Sequence, residues 1–284
     1  MTPPLLRHFT KLVAAATLFL IFAGAMVTST GSGLAVPDWP LSYGMVMPPM
    51  VGGIFYEHGH RMIAATVGFL TVLQAIWLQF REPKKRVRVL GWCSVGAVIA
   101  QGVLGGLTVL FLLPKAISIA HAGLAEIFFC LNVSIAFLTS REPSPRPSFV
   151  LPITVYGQIL LGALMRHLGA GLAIPDFPLS FGALIPNFTS AAIAVNFAHR
   201  AGAVVVAIAI IAAARRASRS LAFAMIVIVA LQIALGAMTV WSGKHPIITS
   251  LHVMTGAATL AISLIYGLSV EERAGAFVAS EATA

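Results

Sequence analysis

Long apolar runs separated by short polar stretches dominate the order of residues along the chain. Several of the runs exceed the roughly 18 residues that mark a membrane-spanning helix. Their spacing predicts eight helices, at about 12–30, 59–80, 89–113, 116–139, 149–168, 191–214, 220–241 and 247–270. We therefore expect an all-α polytopic membrane protein with eight transmembrane helices.

The composition supports a membrane protein and argues against a nucleic-acid-binding one. Of the 284 residues, 58% are hydrophobic, whereas soluble domains have roughly 45–50% apolar residues. The formal net charge of +9 is strongly basic. The basic residues nevertheless sit in short loops between apolar runs, as membrane orientation demands. Membrane lipid, and not nucleic acid, is therefore the expected environment of the chain.

The Lys and Arg residues are divided unequally between the two ends of the predicted helices. Thirteen of the 18 fall at the N-terminus, in the loops 81–88, 141–146 and 215–219, and at Arg273. The other five are Arg61, Lys115, Arg166, Arg200 and Lys244. Because basic loops stay in the cytoplasm, we expect a plasma (inner) membrane protein with both termini cytoplasmic. The segments 31–58 and 169–190 then face outward.

An internal repeat relates the two halves of the chain. The stretch "GSGLAVPDWPLSYG" from Gly31 returns as "GAGLAIPDFPLSFG" from Gly169. The stretch "HRMIAATVG" from His60 returns as "HRAGAVVVA" from His199, and "QGVLGGLTV" returns as "QIALGAMTV". Each half holds four helices, so both halves enter the membrane from the same side.

The repeat predicts the domain organisation. We expect two pseudo-symmetric four-helix bundles in tandem, at 1–140 and 141–284. The first apolar run resembles a secretory signal peptide, since Arg7 and Lys11 precede it and small residues lie around Ala23–Ala25. Because this helix has a counterpart in the second half, we expect it to belong to the mature protein.

Four of the eight histidines are matched by the repeat, and each lies near the outer end of an even-numbered predicted helix. They are His60, His121, His199 and His252. Two neutral imidazoles on facing helices favour a haem iron with two axial ligands. Zinc and copper usually need three or four close ligands, and no third ligand repeats. The alternative is that these are polar helix-end residues, bonded to loop carbonyls or water.

Small residues near the histidines would leave room for a flat macrocycle. Gly123 and Gly256 follow His121 and His252 in sequence. The pairs Gly105–Gly106 and Gly236–Ala237 provide small positions on the neighbouring predicted helices. The alternative for each of these residues is ordinary close packing between helices.

Two arginines directly follow histidines of the repeat. Arg61 comes after His60, and Arg200 comes after His199. A guanidinium at the outer rim of a haem pocket would pair with a propionate carboxylate. The alternative is an arginine bonded to the adjacent loop or extended toward the membrane surface.

The two histidine motifs differ in one titratable group. The first half has Glu57 one turn before His60, whereas the second half has Asn196 one turn before His199. A carboxylate beside a haem moves protons, a role that an amide cannot take. We therefore expect catalysis in the first half, with Glu57 as the catalytic residue. The alternative is that Glu57 caps its helix near the positive end of the helix dipole.

Taken together, these features resemble haem A synthase, a membrane oxygenase family. The resemblance covers nearly the whole chain. It is carried by "TSTGSGLAVPDWPLSYG" at Thr28–Gly44, by the Glu-x-x-His-Arg motif at Glu57, by the Asn-x-x-His-Arg motif at Asn196, and by His121 and His252.

The resemblance implies a function and a role for each half. Members of that family oxidise a ring methyl of haem O to a formyl group, giving haem A for terminal oxidases. By the resemblance, His199 and His252 in the C-terminal half hold a haem b cofactor. His60 and His121 in the N-terminal half hold the substrate haem O. The glutamate at position 57 takes part in catalysis.

One departure from the family concerns the electron supply. Many bacterial members carry a cysteine pair in their outer loops, whereas Cys93 and Cys130 here lie inside apolar runs and form no CxxC motif. We expect buried thiols without a disulfide, and the electron donor stays open. His58 is an extra titratable group inside the motif with no counterpart in the second half, and the alternative for it is a solvated loop histidine. Haem O synthase and oxidase assembly factors are the candidate protein partners.

Two other functions remain open from the sequence. A dihaem b-type cytochrome that takes electrons from quinol would use the same four histidines, although it would have no need of Glu57. A transporter with duplicated halves would bind no haem, and its purified form would be colourless.

Overall fold

The computed structural model describes residues 2–269, which form eight α-helices and one short 3₁₀-helix, Ala170–Leu172, with no β-strand. The α-helices are α1 Pro4–Ser29, α2 Gly53–Arg81, α3 Lys85–Leu110, α4 Lys115–Ser140, α5 Val150–His167, α6 Ala191–Ala214, α7 Arg219–Trp241 and α8 Pro246–Ser269. Seven of them, all except α5, are long and apolar enough to cross a membrane. The predicted all-α polytopic membrane fold is confirmed. Arg273, which was counted for the orientation, lies outside the described residues.

The largest differences from the predicted boundaries lie at the starts of α1 and α2. Helix α1 begins at Pro4, and proline is well tolerated in the first turn because its missing N–H has no partner there. Helix α2 begins at Gly53, six residues before the predicted start, after Gly52 with a left-handed φ of 53°. The apolar pattern hid this start because Glu57–Arg61 is polar. Glu57 and His58 therefore lie inside the helix.

The helices pack in two rings that follow the repeat. Helices α1 to α4 contact each other in the order α1–α2–α3–α4–α1, and α5 to α8 contact each other in the same cyclic order. The two rings meet where α8 contacts α1 and α4, and where α4 contacts α5. The division into domains at residues 140 and 141 stays a prediction.

The buried apolar side chains form two clusters away from the predicted sites. The first cluster joins all four helices of the first ring to α8, around Phe129, Ile135 and Leu264. The second cluster fills the second ring, around Ile210 and Met225. Because α8 contributes to both clusters, the two rings share one continuous packed interface.

Two long loops close the end of the bundle where each odd-numbered helix meets the following even-numbered one, which we call the long-loop end. In residues 30–52, the Asp38 carboxylate accepts hydrogen bonds from the backbone N–H groups of Tyr43 (2.7 Å) and Gly44 (2.8 Å). These bonds hold the pKa of Asp38 below its ordinary value. In residues 168–190 the same bonds, with the same two lengths, join Asp176 to Phe181 and Gly182. The loops therefore share one local fold.

Candidate functional site

The four repeat-matched histidines lie at the long-loop end, in the second or third turn of their helices. His60 is on α2, His121 on α4, His199 on α6 and His252 on α8. The imidazole of His60 lies near that of His121, and the imidazole of His252 lies near that of His199. The structure thus brings together the pairs that the sequence predicted. Their role as ligands stays a prediction.

Each of these imidazoles lies against a glycine of the preceding helix. A Cβ atom added to Gly24 would stand 3.0 Å from Cε1 of His60, and one added to Gly162 would stand 2.9 Å from Cε1 of His199. The corresponding distances are 3.3 Å from Gly105 to His121 and 3.1 Å from Gly236 to His252. Any larger residue would push the ring aside, so the four glycines set the positions of the imidazoles.

Sequence reasoning identified Gly105 and Gly236 but missed Gly24 and Gly162. The internal repeat could have identified them, because Gly24 and Gly162 are separated by 138 residues, the same offset that relates Gly31 to Gly169. They went unnoticed because α1 and α5 carry no histidine of the repeat.

The Nδ1 atoms of the four rings differ between the halves. In the first half, Nδ1 of His60 and Nδ1 of His121 are buried and make no hydrogen bond. In the second half, Nδ1 of His199 lies 3.0 Å from Nε2 of Gln158, and Nδ1 of His252 lies 3.2 Å from the carbonyl oxygen of Gln232. Only the second pair is therefore held by polar contacts at both rings.

The residues present fit a haem group in each half. Two neutral imidazoles are the axial ligands of many haem proteins, and the absence of a Cβ at the glycine beside each ring gives the imidazole room. Within residues 2–269, no group of three His, Cys, Asp or Glu side chains is placed to hold a bare metal ion. Each proposed site therefore offers a pair of histidines on two helices of one ring.

Glu57 fastens the first long loop to α2. The residue is 3% exposed, and Oε2 accepts a hydrogen bond from the Val36 N–H at 2.8 Å. Oε1 forms an ion pair with Nη2 of Arg61 at 2.7 Å. The N-cap of α2 is Gly52, and no side chain caps this helix. The alternative that Glu57 caps its helix is therefore wrong, and the buried carboxylate lies between the loop and Arg61.

Asn196 occupies the equivalent place with the opposite hydrogen-bonding role. Its Nδ2 donates to the carbonyl oxygens of Ala170 (2.8 Å) and Gly171 (3.2 Å) in the second loop. Its Oδ1 is buried without a partner. A carboxylate that accepts from the loop in one half is thus replaced by an amide that donates to the loop in the other. Only the first half places an ionisable group here.

The two arginines of the motifs bind their own loops. Nη1 of Arg61 donates to the carbonyl oxygens of Asp38 and Leu41, both at 2.8 Å. Arg200 makes the equivalent bonds to the carbonyl oxygens of Asp176 (2.7 Å) and Leu179 (2.9 Å). The loop-bonded alternative is therefore what the structure shows. Propionate binding by Arg61 and Arg200 stays a prediction.

His58 is not a solvated loop residue, so that alternative is wrong. It lies on α2 and is 6% exposed, with Nδ1 at 2.8 Å from Oγ of Ser42. Its Nε2 is buried and has no hydrogen-bond partner. The earlier start of α2 and the long loop folded over it account for the burial.

Some of the predicted small residues pack against side chains. Gly106 lies under the indole of Trp39, whose Cδ2 would stand 2.7 Å from an added Cβ. Gly123 lies under Leu160 and Tyr156 of α5, which is ordinary helix packing. Trp39 was missed by sequence reasoning. Through its contact with Gly106, Trp39 packs the first long loop against α3, next to Gly105, which lies against His121.

Comparisons with known proteins agree with this arrangement. Residues 50–264 match the family of cytochrome oxidase assembly proteins. The chain is similar to three proteins named haem A synthase. That of Symbiobacterium thermophilum is 32% identical over 217 residues, which cover 70% of this chain and 71% of the relative. That of Shouchella clausii is 30% identical over 220 residues, with 72% and 73% covered. That of Halalkalibacterium halodurans is 29% identical over 274 residues, with 88% and 91% covered.

Proposed function

Because the chain belongs to the haem A synthase family of cytochrome oxidase assembly proteins, we propose that it oxidises the ring methyl of haem O to the formyl group of haem A. It is an oxidoreductase that acts in the membrane. The observation that carries the proposal is the pair of matched two-histidine sites with a buried carboxylate, Glu57, in one of them. A plain electron-transfer cytochrome has no use for that asymmetry.

The two sites have different tasks in this proposal. Haem O binds between His60 and His121, in residues 1–140, and a resident haem b binds between His199 and His252, in residues 141–284. Histidine ligands of metals almost always donate their second ring N–H to a partner, which strengthens binding. In the second pair, the carbonyl oxygen of Gln232 accepts from Nδ1 of His252, and Nε2 of the Gln158 amide lies beside Nδ1 of His199, whereas neither ring of the first pair has a polar contact at Nδ1. This suits a cofactor that stays and a substrate that leaves.

Glu57 is the proton-handling group of the first site. Conversion of a methyl to a formyl group replaces two hydrogens of that carbon by one oxygen atom, a four-electron oxidation that balances with dioxygen as the oxidant and water as the second product. A haem held by His60 and His121 would supply the one-electron redox chemistry. The carboxylate of Glu57 exchanges a proton at Oε1 or Oε2 one helical turn from the ligand His60. Arg61 holds the carboxylate in place.

We expect the first long loop to limit the access of water to this site. It is fixed at one point by the hydrogen bond from Val36 to Glu57, and at a second point by the contact of Trp39 with Gly106. Closure of this kind strengthens electrostatic interactions inside a site and prevents side reactions.

Haem O synthase and oxidase assembly factors are the proposed partners, since substrate and product are both carried in the membrane.

Binding of haem O tests the proposed division. Purified protein that already contains its resident haem is titrated with haem O, and the bound haem is followed by absorbance. We expect His60→Ala and His121→Ala to lose haem O binding while the resident b-type spectrum is kept. A protein that is colourless when purified would instead be a transporter. If haem O bound equally well to both variants, the first site would be assigned wrongly.

Labelling of single cysteines tests the proposed orientation in the cell membrane. Val46 in the first long loop is 80% exposed, and Ser218 before α7 is also exposed. In a background with Cys93→Ala and Cys130→Ala, a membrane-impermeant thiol reagent should label Val46→Cys in intact cells. It should label Ser218→Cys only after the cells are opened. The reverse pattern would place the termini outside.

A further inference from the structure

We infer that Gln158 and Gly202 form a positioning pair that fixes His199 and sets the reduction potential of the resident haem. The inference rests on the proposed function, because it takes His199 as a ligand of that haem. It adds two residues, an amide and a glycine, that are replaced by apolar residues at the equivalent positions of the first half. The pair thereby explains how one half of a duplicated protein became a permanent cofactor site.

Gln158 of α5 contacts His199 of α6 at two points. Its Nε2 donates to the backbone carbonyl oxygen of His199 at 2.7 Å, and the same atom lies 3.0 Å from Nδ1 of the ring. The amide therefore spans the residue from main chain to side chain. Together with Gly162, which lies against Cε1, it holds the ring from two sides.

Gly202 provides the space that the amide occupies. A Cβ atom added to Gly202 would overlap with Oε1 of Gln158, and Cδ of Gln158 would be 3.2 Å away. Gly202 follows His199 by three residues and so lies on the same face of α6. Any larger residue at position 202 would displace the amide from His199.

The first half lacks both members of the pair. By the offset of 138 that relates α1 to α5, the equivalent of Gln158 is Leu20. By the offset of 139 that relates His60 to His199, the equivalent of Gly202 is Ile63. Two apolar residues thus replace the amide and the glycine together. Nδ1 of His60 is correspondingly buried and without a partner.

An amide suits this position because it carries both a donor and an acceptor. A histidine that binds iron through Nε2 keeps its proton on Nδ1, so its partner must accept. In the structure the Gln158 atom next to Nδ1 is the donor Nε2. With haem bound, rotation of the amide about its last bond would exchange the bond from Nε2 to the His199 carbonyl oxygen for a bond from the Nδ1–H to Oε1. Acceptance of the Nδ1 proton makes the imidazole a stronger electron donor to iron. The oxidised haem is then stabilised, and the reduction potential is lowered.

Potentiometric titration of the resident haem in the purified holoprotein tests the pair. Gln158→Leu, which copies the first half, should shift the midpoint potential to a more positive value. It should also weaken haem retention on dilution by about tenfold or more, as is typical for loss of such a partner. Gly202→Ala should shift the potential in the same direction, because it displaces the same amide. Gln158→Glu keeps an acceptor and should give a potential at or below that of the wild type.

Coupling between the two positions separates a positioning role from general damage. In the double variant Gln158→Leu/Gly202→Ala, the second change should add nothing, because the amide is already absent. Gln101→Leu is the matched control. It removes an equivalent bond, from Nε2 to the carbonyl oxygen of His121 at 2.9 Å, in the other half. It should leave the potential of the resident haem unchanged.

The possible failures can be told apart. If His199→Ala kept the b-type spectrum, the proposed cofactor site itself would be wrong. If His199→Ala removed the haem while Gln158→Leu and Gly202→Ala both kept the wild-type potential, only the positioning role would be overturned. Equal shifts in Gln101→Leu and Gln158→Leu would also overturn it, since the effect would not be local to His199.

Discussion

Glu57→Ala protein is expected to keep its resident haem and to make no haem A. The change removes the buried carboxylate that binds the Val36 N–H and Arg61. The first long loop then loses one attachment, and the first site loses the group that we propose handles protons. The second site, on α6 and α8, makes no use of this carboxylate. The measurement is haem extraction from membranes supplied with haem O, together with the absorption spectrum of the purified variant.

Glu57→Gln separates proton transfer from fastening of the loop. The amide still accepts a hydrogen bond from Val36 but exchanges no proton, so haem A formation should fall by roughly 10²–10⁴-fold. Haem O or a hydroxylated intermediate should accumulate. Asn196→Ala is the matched control, since it releases the second loop at the equivalent point without removing a carboxylate, and it should still make haem A. Wild-type rates in Glu57→Gln would show that Glu57 is structural only.

Replacement of either His199 or His252 is expected to abolish the b-type spectrum of the resident haem. Each change would remove one of the two histidines proposed to hold this haem, so the reduced absorption should vanish or broaden. His60→Ala and His121→Ala should leave that spectrum in place, because they belong to the other pair. An unchanged spectrum in both His199→Ala and His252→Ala would refute the cofactor assignment.

The glycine beside His199 gives a milder version of the same test. Gly162→Ala would place a Cβ 2.9 Å from Cε1 of the ring, so the imidazole must shift and haem retention should fall. Gly157→Ala lies on the same helix with nothing within 4 Å of its added Cβ. It is the matched control, and its haem content should equal that of the wild type.

Much of the fold could be predicted, because the apolar runs mark the helices and the repeat relates the two halves of the chain. Helix α6 has the predicted bounds, and α7 begins one residue earlier than predicted. The start of α2 was misplaced because the polar residues Glu57–Arg61 interrupt the apolar pattern. They are helical because their side chains find partners in the long loop, such as Val36 and Ser42. A contact of that kind cannot be read from hydropathy.

The site was only partly predictable for a related physical reason. The histidine pairs and the difference between Glu57 and Asn196 are visible in the sequence, because the repeat aligns them. The residues that orient the rings are not visible in the same way. Gln158 is one amide in an apolar helix, and its meaning depends on the space at Gly202 across the interface with α6. Trp39 likewise has a role only because it meets Gly106.

The most direct measurement is haem analysis of membranes from cells that make haem O and carry this chain. Haem is extracted and separated, and its formyl-containing form is quantified against cells that carry His60→Ala. We expect haem A with the wild-type chain, and only haem B and haem O with the variant. Membranes with abundant wild-type protein, b-type absorption and haem O but no haem A would contradict the proposed reaction and favour a dihaem cytochrome.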